Sequence, residues 1–133
     1  MSYEQAGSGI IITLEAAADL SSNQYNFVKL DASGNVVICD VDSAGQIPIG
    51  VLQNKPTSGQ AATVMITGVT KVEAGVAFNE GVLIAASDAS SSADNGQAVA
   101  ADASDYVVGQ TIQAGAADEY ITCVVNCASP TLY

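Results

Sequence analysis

The chain contains no histidine, no arginine and no tryptophan. Without histidine, a serine or cysteine nucleophile lacks its usual base, and zinc lacks its commonest nitrogen ligand. Lysine could replace the base, but Lys29 and Lys71 fall on outward strand positions by parity, and Lys55 precedes a proline in a loop. A glycosidase needs two carboxylates held across a fixed gap. The acidic residues here are scattered over loops, with one adjacent pair, Asp118-Glu119. No glycine-rich phosphate loop leads from a strand into a helix. The expectation is a protein without catalysis, cofactor or bound metal.

Positive charge is equally scarce. Fourteen acidic residues against three lysines give a formal net charge of −11. Nucleic-acid binding relies on lysine and arginine neutralising phosphates, so this chain is expected to repel it, and an anionic membrane surface likewise. The longest apolar runs fall far short of a membrane span, and no signal peptide is seen. Five tyrosines and two phenylalanines are few for an aromatic-lined ligand pocket. The three cysteines, Cys39, Cys123 and Cys127, are an odd number. Cys123 and Cys127 share an extended segment, where about 13 Å would separate them, too far for a disulfide. All three read as small buried or edge hydrophobes in a reducing cytoplasm.

What is present is alanine, glycine, serine, threonine and valine, a composition of closely packed strands and tight turns. A chain of 133 residues suffices for one domain, burying roughly two thirds of the surface its unfolded form exposes. The stretch from Ile49 to Gly75 organises the rest. Ile49, Val51 and Leu52 start a strand that Asn54-Lys55-Pro56 ends, because proline offers no N–H to a ladder. Ser58-Gly59 turns the chain. Ala62, Val64 and Ile66 alternate with Thr63 and Thr67, as in a half-buried strand. Gly68 is expected to break that strand, Val69 to Glu73 to start another, and Gly75 to close it.

Before this stretch, residues 1–13 read as an N-terminal arm. Ile10, Ile11 and Ile12 form an apolar run without alternation. It is either a first strand of the domain's own sheet or an arm docked on another chain. Ala16 to Asn26 is a connector with room for one helical turn. Phe27 to Asp31 is a strand with Val28 and Leu30 inward, and Gly34 supplies the hairpin turn to Val36–Cys39. Asp40 to Gly45 resembles a calcium loop only in part, since Ala44 and Val51 occupy positions that need oxygen ligands. After the central stretch, Gly81 to Ala85 is a strand, Asp88 to Gly96 a long hairpin tip, Tyr106 to Gln113 a strand, and Glu119 to Asn126 a strand with Ile121, Cys123 and Val125 on one face. The domain proper spans 14–126, and 127–133 is a tail.

The order of elements repeats. Val28 to Cys39, turning at Gly34, precedes Ile49-Gly50-Val51, then Gly59 and the strand around Val64. Val82 to Ala100, turning at Gly96, precedes Val108-Gly109-Gln110, then Gly115 and the strand around Val124. Two such β-units suggest a small barrel or sandwich that shortens its own edges. Gly34, Gly50, Gly59, Gly68, Gly75 and Gly109 are expected to be structural.

Phe27 to Asp31, Ile49 to Pro56, Gly59 to Val64, Gly68 to Val72, Ala74-Gly75 and Val107 to Gly109 together resemble the capsid decoration (cement) proteins of tailed bacteriophages, a small all-β group with the β-tulip fold. The resemblance covers about Leu14 to Val125 and is most specific from Gly50 to Gly75. It implies a homotrimer on the outer surface of a phage head, bridging neighbouring HK97-type major capsid proteins, with no catalysis. Within that frame, Tyr3, Ile10, Ile11 and Ile12 are candidates for contact with the capsid or a neighbouring protomer. Asn54, Lys55 and Pro56 are candidates for the trimer contact. The alternative is a β-domain binding module of a tail fibre, baseplate or cell surface, which calls for aromatic residues converging on a groove. A third reading is a calcium-dependent adhesion domain built on Asp40 and Asp42.

Overall fold

The computed structural model describes residues 9–42, 45–89 and 93–133, and all structural statements below refer to these. The chain is all-β, as its composition predicts. Its strands are β1 (Ile10–Glu15), β2 (Phe27–Leu30), β3 (Val36–Ile38), β4 (Gly50–Leu52), β5 (Ala61–Glu73), β6 (Leu83–Ala86), β7 (Ala98–Ala100), β8 (Tyr106–Val107), β9 (Gly109–Thr111), β10 (Tyr120–Asn126) and β11 (Thr131–Leu132). One antiparallel sheet runs β3-β2-β4-β5-β10-β9-β6-β7, curled as a half-barrel, with β1 also paired to β5. A separate ribbon joins β8 to β11.

The echo in the sequence is a tandem repeat in the structure. In the first repeat β2 pairs β3 as Val28↔Ile38 and Leu30↔Val36, and in the second β6 pairs β7 as Ile84↔Ala100 and Ala86↔Ala98. Phe27↔Val51 and Val28↔Gly50 correspond to Leu83↔Gln110 and Ile84↔Gly109. Val51↔Met65 and Leu52↔Val64 correspond to Gln110↔Val124 and Thr111↔Cys123. Connections match as well: Leu20 N–H donates to Pro56 O, and Phe78 N–H to Gly115 O. Residues with left-handed backbone also fall in pairs, Tyr25 with Gly81, Gly34 with Gly96, Gly45 with Ser104 and Gly59 with Asp118. The sequence alignment of the two units therefore needs correcting at its end. Cys123, not Val124, matches Val64, and Asp118, not Gly115, matches Gly59.

Both repeats depend on β5. Its first half pairs with β1 as Ile12↔Val64 and Leu14↔Ala62, and its second half pairs with β10 as Thr70↔Cys123 and Val72↔Ile121. Residues 69–73 are thus to the second repeat what β1 is to the first. Gly68 does not break the strand as expected; it sits mid-strand with φ 145° at the junction of the repeats. β10 carries the ladder through it, pairing Val124↔Val69, Val125↔Gly68 and Asn126↔Thr67. Other expectations also shift. Leu20 to Tyr25 forms turns without a helix, and Tyr106 to Gln113 splits into β8 and β9 at Val108.

Two cores result. Val28, Val36, Leu52, Ala62 and Val64 close the first repeat, with Ala16 and Leu20 from its connector and Ile12 and Leu14 packed against them. The second core combines Ile84, Ala98, Val108, Ile121 and Cys123 of the second repeat with Phe27, Cys39 and Val51 from the opposite face of the first. Gly50 and Gly109 hold one position in both repeats. A Cβ there would collide with the carbonyl oxygen of Met65 or of its counterpart Val124.

Candidate interaction surface

Polar side chains are spent on bracing loops. Gln46 Oε1 accepts from the backbone N–H of Asp40 at 2.9 Å and from Lys29 Nζ at 3.2 Å, while its Nε2 donates to Asp40 O and Ser87 O. Asp40 Oδ1 accepts from Asp42 N–H. Ser43 and Ala44 of this loop lie outside the described residues. Among the described residues no group of three or more acidic or cysteine side chains is arranged to hold a metal ion. The three cysteines are buried and free. Burial pushes each thiol up to about 12, with Lys29 partly opposing this at Cys39. Such thiols are poor nucleophiles at neutral pH.

Of the residues singled out in the N-terminal stretch, Tyr3 lies outside the described residues. Ile10 and Ile11 are exposed on β1, whereas Ile12 packs against the first core. The run thus divides, with two apolar side chains free on the surface and one structural. At the other candidate contact, Asn54 braces its own hairpin: Nδ2 donates to Ala61 O at 2.9 Å and Oδ1 accepts from Thr63 N–H at 3.0 Å. Pro56 is buried and its carbonyl accepts from Leu20 N–H, leaving Lys55 exposed beside them.

The sequence reading missed a second apolar surface. Leu83, Gln110 and Val124 lie side by side across β6, β9 and β10, on the face that points away from the second core. With Val107, Ser129 and Thr131 they line a shallow groove of about 210 Å³. Part of this was available from parity, because Ile121, Cys123 and Val125 on one face leave Val124 on the other. Leu30 corrects the reading outright. It was expected inward with Val28 but is exposed at the end of its hairpin. The aromatic residues do not converge on the groove. Tyr25 and Tyr120 meet edge to face elsewhere, ring centroids 5.5 Å apart, with Lys71 Nζ 5.8 Å from the Tyr25 centroid.

No family model matches the chain, and no curated protein sequence does. The fold has a solved counterpart. It is similar to the N-terminal base of the head fibre protein gp8.5 of bacteriophage phi29, with a TM-score of 0.61 over 93% of this chain and 98% of that one, at 16% identity. At that identity the likeness speaks to the fold.

Proposed function

We propose that this chain is a non-enzymatic structural protein of a phage virion, seated on the outer surface of the head. There it acts as a homotrimer that bridges neighbouring HK97-type major capsid proteins and strengthens the shell against the pressure of packaged DNA. The observation that carries this reading is the end-to-end likeness to a head-fibre base, a protein whose own place is on a phage head. The resemblance of Gly50 to Gly75 to decoration proteins points the same way. Strong acidity suits a virion protein that must stay off nucleic acid. Three linked copies on three equivalent sites gain avidity over any single contact. Contacts spanning two capsid subunits stabilise only the assembled shell, by linkage.

The test is co-sedimentation with expanded, undecorated capsids. Saturation near one chain per major capsid chain supports the reading. Protein left at the top of the gradient overturns it and returns the tail-fibre or receptor-binding module as the explanation.

A further inference from the structure

The two repeats are joined by a contact that is not symmetric. The first repeat contributes Phe27, fully buried in the shared core, and beside it across the sheet lie Val51, in the same core, and Met65, 8% exposed. The second contributes Ala86, 6% exposed, and the turn at Gly96. Phe27 N–H donates to Gly96 O at 2.7 Å. That turn lies so close to Ile38 and Asn26 that a Cβ on Gly96 would collide with both.

Each half of this contact has a counterpart that the chain itself leaves open. Leu83 corresponds to Phe27 and is 45% exposed, and Val124 corresponds to Met65 and is 39% exposed. Both border the groove on the outer face of the second repeat. Leu30 corresponds to Ala86 and is 44% exposed. Gly34 corresponds to Gly96 with nearly the same backbone, φ 82° against 76°, yet nothing approaches its open side within 4 Å. One end of the tandem thus carries an unused copy of the first half, and the other end an unused copy of the second.

We propose that the Leu83–Val124 face of one chain docks on the Leu30–Gly34 hairpin of a second copy, repeating between chains the contact that joins the repeats within one. Side-chain volumes suit this. Phe27 and Ala86 share one core within the chain, and Leu83 would meet Leu30 between chains, so a large–small pair becomes two of intermediate size. Charge suits it too. The groove is lined by no ionisable residue, on a chain of net charge −11, and the one carboxylate of the incoming hairpin, Asp31, is turned to the N–H groups of Ser33 and Asn35, so no like-charged pair faces across the contact. A contact between two different patches is heterologous and closes into a ring when the rotation permits. The ring size of three rests on the homotrimer reading above; the contact itself does not.

The experiment is a cysteine pair. Leu30→Cys with Leu83→Cys, oxidised, is expected to give covalent oligomers on a non-reducing gel, while each single variant stays monomeric there. Leu83→Asp is expected to cut the sedimentation mass about threefold, to that of one chain, with the β-sheet circular dichroism of the folded chain retained. Dimers from Leu83→Cys alone would reveal a symmetric contact and overturn the proposal. So would a wild-type oligomer that Leu83→Asp leaves intact, or a wild-type chain that is monomeric both in solution and on capsids. Capsid binding is read separately. A cross-linked ring that ignores expanded shells keeps the contact and overturns the virion reading, whereas monomers that bind shells do the reverse.

Discussion

Asn26 Nδ2 donates to Glu73 Oε2 at 2.7 Å, tying the last residue before β2 to the end of β5. Gln97 Nε2 reaches the other oxygen of Glu73 at 3.2 Å and Asp118 Oδ1 at 3.0 Å. Both amides are buried. One carboxylate therefore holds the hairpin of the first repeat and the returning strand of the second. Asn26→Ala leaves a charged oxygen short of a donor, and a cost of about 2 kcal/mol is expected in denaturant unfolding. Asn26→Asp should cost more, because it sets a second negative charge against Glu73. Equal stability for the Asp and Ala variants would show that the charge of Glu73 is not felt there.

Gly50→Ala and Gly109→Ala are expected to destabilise by similar amounts, about 1–3 kcal/mol each, because both push a methyl into a backbone carbonyl that cannot retreat. Gly34→Ala offers a control of another kind. Its surroundings are open and its φ is 82°, so the cost is backbone strain alone, about 1–2 kcal/mol. Thermal melts of the three variants separate steric from conformational cost.

Ile12 and its neighbours should part company under mutation. Ile12→Ala removes packing from the first core and is expected to lower stability by about 2 kcal/mol, short of the full range for a wholly buried isoleucine. Ile10→Ser with Ile11→Ser should leave the melt nearly unchanged. The same pair is expected to weaken capsid co-sedimentation if these side chains meet the shell. Undiminished binding would assign them no part in it.

Cys39, Cys123 and Cys127 sit together in the core that joins the repeats, with thiols pushed up to about 12 by burial. A thiol reagent at pH 8 is therefore expected to modify the native protein only as fast as that core opens. Labelling at the global unfolding rate means that the repeats open together. Labelling well ahead of unfolding means that they part while each keeps its own strands.

Asp105 should make stability rise on mild acidification. Burial is the largest cause of its raised pKa; the hydrogen bond from Asp102 N–H opposes it, and the nearby carboxylates of Asp88 and Asp102 add to the rise. A carboxyl group easier to protonate when folded than when unfolded favours the native state as pH falls through its folded pKa. The melting temperature is expected to climb as pH drops from neutral toward the upper carboxylate range. Asp105→Asn should flatten that climb while keeping an acceptor for Asp102 N–H. An identical pH profile for this variant would place the effect on other groups.

Much of the fold was legible because strand signals here are local. Alternation marked β5 and β10, and glycine turns marked both hairpins. Gly50 and Gly109 exposed the repeat, since a glycine second in its strand has one reason in both places. The full period could also have been read from Leu14-Glu15-Ala16-Ala17 against Val72-Glu73-Ala74-Gly75, which open the two units. What local reasoning could not supply was the neighbour across a face. Leu30 and Ala86 occupy the same register position, yet only Ala86 is covered, because a second unit packs on that side of one hairpin and not of the other. The same reason hid Leu83: by parity alone nothing separates it from Phe27.

The shared strand has a mechanical consequence. Ala61 to Glu73 is one unbroken rod pinned along its length by β1, β4 and β10. A pull along this strand loads those ladders in shear, so many hydrogen bonds share the load instead of unzipping singly. A curled sheet built this way yields late and as a whole.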